Sequence, residues 1–144
     1  MVVPSIGYVC DVMAEPASWS SDVSVADTSE IRAARNLVAD ESAPFVGAAR
    51  SEDVRLAVSE LATNALEHGD GADAVVEYGV DGDAFFVTVT ADASAPPERK
   101  RPSASADQVS GRGLQIVAGI ADSVLVSGDG RSVSVSCSFD LPAT

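Results

Sequence analysis

Basic side chains are scarce in this chain of 144 residues. Nine Lys and Arg face 22 Asp and Glu, leaving a formal net charge of −13. Nucleic-acid binders gain affinity by neutralising phosphates with Lys and Arg, and this chain repels a polyanion over most of its surface. A direct nucleic-acid partner is therefore not expected. Cysteine is just as thin. Cys10 and Cys137 stand at opposite ends of the chain and form no CxxC pair. That excludes a disulfide scaffold and favours reduced, cytosolic thiols. No apolar run approaches the ~20 residues that span a bilayer, so no membrane segment is expected. The N-terminus, MVVPSIGYVCD, has no basic residue before its first acidic one and no long apolar core. It does not read as a signal peptide, and a cytoplasmic protein is expected.

What is present is a globular composition. Apolar residues make up 46 % of the chain, too many for disorder. This length suits one domain, residues 1–144, because two would each bury too little surface. Lys100 is the only lysine and Ala and Val are abundant, a pattern of GC-rich genomes. The charge is uneven. Residues 1–97 hold 4 basic and 17 acidic side chains, whereas 98–112 hold Arg99, Lys100, Arg101 and Arg112 against only Glu98 and Asp107. One narrow window is thus net positive.

Periodicity gives the element order. Residues 1–26 are apolar and Ser-rich, broken by Pro4 and Pro16, and read as one or two short strands. Asp27 with Glu30 three residues on has the form of a capping box. Ile31, Ala34, Leu37 and Val38 follow at helical spacing, predicting a helix over 28–41 that Pro44 and Gly47 end. Ser51 is expected to cap a second helix, with Glu52 and Asp53 in its first turn. Its core stripe is Val54, Val58, Leu61 and Ala65, and Gly69 stops it. The period then changes to two: Val76, Tyr78 and Val80, an Asp81-Gly82 hairpin signal, then Phe85, Val87 and Val89. Residues 93–110 carry Pro96, Pro97, Pro102 and the basic cluster, a long loop of the kind that forms lids. Gly111-Arg112-Gly113 opens a third helix, with Leu114, Val117, Ala118 and Ala121 on one face. A last hairpin turns at 128–130. In its return strand Ser132, Ser134, Ser136 and Ser138 alternate with Val133, Val135, Cys137 and Phe139, as in a sheet covered on one side only. Paired strands do not suit a doubly wound fold. The expected fold is an α/β two-layer sandwich, a mixed, mainly antiparallel sheet with three helices on one face.

Three places can carry chemistry. In LAVSELATNALEHG, Glu60, Asn64 and His68 fall at i, i+4 and i+8 and share a face of the second helix. A carboxylate can deprotonate a nucleophile, and an amide oxygen can ligate a hard cation such as Mg²⁺. The same stripe would also make an ordinary solvated face. Thr63 and Asn64 side by side in mid-helix each cost about 0.5 kcal/mol against Ala, so something besides helix propensity selects them. Asp92 ends a strand before the loop; it suits a ligand amine at a pocket mouth, or simply a turn. GRGLQIVAGIAD puts two glycines at a helix start, where backbone N–H groups can approach phosphate, or where a plain turn suffices.

Taken together in this chain order, the segments resemble the Bergerat-fold (GHKL) ATP-binding domain. The match is to its short, single-domain branch, the anti-sigma-factor serine kinases and their actinobacterial relatives. The resemblance covers residues 28–140. SELATNALEHG is similar to the family's N box and GRGLQIVAGIAD to its second glycine box. Where the wider family has D-x-G-x-G, this chain reads Asp92-Ala93-Ser94-Ala95-Pro96, with both glycines replaced. The resemblance implies ATP and Mg²⁺ as cofactors. It implies Glu60 as general base, Asn64 as Mg²⁺ ligand and Asp92 as partner of the adenine amino group. Gly111, Arg112, Gly113 and Leu114 would line the phosphates, His68 would flank the nucleotide, and residues 93–110 would form the lid. It further implies a sigma factor and an anti-anti-sigma (STAS-type) protein as partners, and a homodimer for which 1–26 is the candidate interface. The alternative expectation is a non-catalytic binding module of the same fold.

Overall fold

The capping box forms. In the computed structural model, which describes residues 18–68, 73–92, 113–128 and 131–142, Asp27 takes an extended conformation and its carboxylate accepts the Glu30 N–H at 2.9 Å. Glu30 reaches back to accept the Ala26 N–H at 2.7 Å. These bonds use donors that a helix start leaves free. They hold the Asp27 carboxyl below its ordinary pKa, chiefly through the Glu30 N–H and then the Ser29 hydroxyl.

Helix α1 spans Thr28–Val46, longer than the expected 28–41. Pro44 lies inside its last turn. Only one backbone bond is forfeited there, and the Gly47 N–H still closes the helix on the Ala43 carbonyl at 2.9 Å. Helix α2 spans Ala48–His68, so a single residue separates the two. Gly47 serves both, because its carbonyl accepts the Ser51 N–H at 2.9 Å. Its φ of 92° and ψ of 163° belong to a region essentially reserved for glycine. Ser51 is therefore not the N-cap. It sits within the first turn, buried, and its hydroxyl donates to the Ala48 carbonyl at 2.7 Å. Glu52 and Asp53 accordingly fall in the second turn.

Five strands form one sheet in the order β1-β2-β3-β5-β4, with every pairing among the described residues antiparallel. They are β1 (Trp19–Val25), β2 (Ala74–Asp81), β3 (Ala84–Asp92), β4 (Ser123–Gly128) and β5 (Ser132–Asp140). The β2–β3 turn is tight, with Asp81 paired to Ala84 and Gly82 at φ 68°. A third helix, α3, covers 113–120. Together these make the expected α/β two-layer sandwich. Residues 1–17, the loop 93–110, Gly69, Gly111 and Arg112 lie outside the described residues.

The inner face of the sheet is graded along the strands. At one end Trp19, Phe45, Tyr78 and Phe85 meet, with the Trp19 and Phe45 rings 5.8 Å apart and Phe45 stacked on Phe85 at 6.5 Å. Aromatic contacts of this kind add to what area burial gives. In the middle lie Val76, Val87 and Cys137, all buried. At the far end the inward residues are small: Ala74, Ala91 and Val133. The outer face is a ladder of hydroxyls, with Thr88–Ser136 at 2.7 Å, Thr90–Ser134 at 2.8 Å and Ser123–Ser138 at 2.6 Å. Cross-strand pairs like these stabilise a solvated face.

Two expectations follow. Gly47→Ala lowers stability by about 1–3 kcal/mol, the cost of a side chain in that backbone region, read as a lower urea midpoint at unchanged slope. Asp27→Ala lowers the midpoint at neutral pH. Because folding depresses this carboxyl from its ordinary value of 3.8, its contribution is complete above that value and disappears as pH falls through the lower, folded one. The gap between wild type and variant therefore closes in acid.

Candidate nucleotide-binding site

Helix α2 faces three ways. Val54, Ala57, Val58, Leu61 and Ala62 are buried against the sheet. Ser59 turns toward α1, where its hydroxyl accepts from the Arg35 guanidinium at 3.5 Å. Glu60 and Asn64, one turn apart and half-buried, turn toward α3. His68 is the last helical residue, and its side chain lies outside the described set.

The first described residue of α3 lies against that pair. Gly113 is buried, and a Cβ built on it would stand 2.8 Å from Asn64 Nδ2, 3.0 Å from Glu60 Oε1 and 3.4 Å from Asn64 Cγ. Glycine lets the backbone come this close without displacing the Asn64 carboxamide, and no unusual φ is involved. Leu114 is half-buried and Val117 fully buried, which anchors the helix in the core. Ala118, expected on the core face, is exposed instead; the described part of the helix buries a narrow stripe through Val117 and leaves Ala118 beyond its edge.

The sheet places Asp92 at the same end. Helix α2 feeds β2, whose first residue Ala74 pairs with Ala91, and Asp92 follows opposite Ser132. Asp92 is exposed, and strand alternation sets it on the side of Thr88 and Thr90. Contact with a ligand on the helix side therefore needs the backbone to turn away from the ladder here. Between Asp92 and α3 lies an apolar corner. Val126 is 51 % exposed and Val133 36 %, with Val135 half-buried, although all three belong to the inner face. Farther along the same strand Cys137 and Phe139 are buried. The alternation in β5 identifies Val133 and Val135 as inward-facing, and Val126 of β4 pairs with Val135; their lack of cover depends on where α3 sits, which no local pattern records.

Among the described residues the one cysteine, Cys137, offers no nucleophile. Cys137 is free, and burial pushes its thiol up to about 12, so no thiolate forms near neutral pH. Among the described residues no three His, Cys, Asp or Glu gather as a metal cluster. Nor, among them, is any helix long and apolar enough to cross a membrane.

A family model described as "Histidine kinase-like ATPase domain" matches residues 24–137. The chain belongs to that family, and the family implies nucleotide binding of the ATP type. No match is found among curated proteins.

Gly113→Ala tests the close approach. The change favours helix by up to ~1 kcal/mol, and its new methyl meets only side-chain ends, which can move. Stability should change little. The Asn64 carboxamide should shift, read as a change in its side-chain NMR resonances, and Mg-ATP affinity should fall.

Proposed function

We propose that the chain binds Mg-ATP between α2, α3 and the apolar corner of the sheet, and that it is an anti-sigma factor with serine kinase activity. The observation that carries this is the Glu60–Asn64 pair set directly against Gly113. A carboxylate and an amide at one turn's spacing suit a polyphosphate with its metal, and a helix opened by Gly111-Arg112-Gly113 would offer it backbone N–H groups.

The residues present fit that group. Asn64 would offer a hard oxygen to Mg²⁺, the remaining oxygens coming from phosphate and water. Bound Mg²⁺ would neutralise phosphate charge as transfer proceeds. Glu60 would accept the proton of a serine hydroxyl and so activate its attack. The backbone N–H groups of Gly111, Arg112, Gly113 and Leu114 would hold the phosphates, and Arg112 would add a positive charge that an acidic body otherwise lacks. Val126, Val133 and Val135 would lie under the base, with Asp92 at its amino edge and His68 flanking.

The phosphoryl acceptor in this reading is a STAS-type anti-anti-sigma protein. The second partner is a sigma factor. An acidic surface suits a basic partner of that kind and would compete with DNA for it. The protein would act in the cytoplasm. A second reading, a binding module without catalysis, draws support from the two glycines missing after Asp92.

Mg-ATP with candidate STAS proteins separates the two. Transfer of phosphate to serine, lowered a hundredfold or more by Glu60→Gln, roughly the weight of a general base, supports the kinase. Nucleotide at 100 times Kd should stabilise the fold by about 2.7 kcal/mol, and Asn64→Ala should abolish that shift. Binding without transfer in any pairing favours the module. No stabilisation of the wild-type chain removes the nucleotide from both.

A further inference from the structure

We propose that Arg50 is a positioning residue for the nucleotide site and acts through α3; this rests on the reading of that site given above. Arg50 lies in the first turn of α2, far along the helix from Asn64. Its Nη1 donates to the Ile120 carbonyl at 2.5 Å and to the Asp53 carboxylate at 3.0 Å. Its Nη2 donates to the Asp122 carboxylate at 2.7 Å. The same Asp122 oxygen accepts the Asp140 N–H at 2.7 Å. The guanidinium carbon stands 5.0 Å from the centre of the Phe139 ring.

Ile120 is the last residue of α3. Its carbonyl is one of those a helix end leaves without an internal partner, and a cation there is favoured by the helix dipole. Among the described residues of α3, Val117 is the fully buried apolar side chain. Besides the core contact of Val117, the described part of α3 meets α2 at two points: Gly113 beside Glu60 and Asn64 at one end, Ile120 on Arg50 at the other. Moving the second point moves the first. The Arg50 side chain is about one-third exposed, so its ion pairs contribute little through charge alone. The planar fork matters more, because it reaches a carbonyl and two carboxylates together while lying on a ring. A lysine ammonium is a single point and cannot span them.

Mg-ATP binding by calorimetry and hydrogen exchange of residues 113–122 are measured for wild type, Arg50→Met, Arg50→Lys and Arg55→Met. Arg50→Met should raise Kd roughly fivefold to tenfold, the scale of coupling through a packed element, and speed exchange over 113–122. Arg50→Lys should show most of the same loss. Arg55 bonds Glu52 and Asn36 but not α3, so Arg55→Met should leave both readouts at wild-type values and exclude a general weakening of α2. Unchanged Kd and exchange in Arg50→Met overturn the proposal, as does full rescue by lysine. If the methionine variant does not fold, the lysine variant carries both readouts. A wild-type chain that does not bind Mg-ATP overturns the nucleotide reading instead, and exchange over 113–122 then decides whether Arg50 positions α3.

Discussion

The approach of α3 to α2 at Gly113 constrains everything around it. A methyl group at that position would crowd the Asn64 amide and the Glu60 carboxylate. With no side chain there, a helix start can lie against a pair of polar groups that are themselves only half covered. The rest of the fold maintains this separation. The sheet supplies a flat support, α2 supplies the two side chains, and Val117 ties α3 into the common core.

The gradient along the sheet gives that contact its setting. Aromatic rings fill the end near Trp19 and Phe85, where α1 and β1 also pack. Alanine and valine line the other end, where Asp92 and the Glu60–Asn64 pair lie. Large side chains maximise burial at the first end. Small ones at the second leave inward-facing surface uncovered, which a folded monomer retains at some cost in stability. The molecule thus separates the part that holds it together from the part that can receive a ligand.

Local signals were legible in the sequence and relational ones were not. The Asp27–Glu30 box, the turn at Gly82 and the alternation in β5 depend on neighbours a few residues apart, and all three formed. Ser51 misled because the usual cap residue sat near an expected start. Gly47 joins the two helices without a loop and moves that start four residues earlier. Glu60 and Asn64 were legible by spacing, and their neighbour Gly113 by its place in a glycine pair. Their contact was not, since it spans about fifty residues of chain. The exposure of Val126 and Val133 escaped for the same reason. Arg50 showed only its i,i+3 pairing with Asp53. Its partners Ile120 and Asp122 lie 70 and 72 residues away.

The position of Trp19 has a practical consequence. It is the only tryptophan in the chain, and its ring sits among Phe45, Tyr78 and Phe85 at the end of the sheet away from Asn64. Its emission is therefore a clean optical monitor of whether the domain is assembled. A nucleotide held where proposed, at the opposite end, would leave that signal largely untouched, so titrations must rely on a chromophore carried by the ligand or on heat.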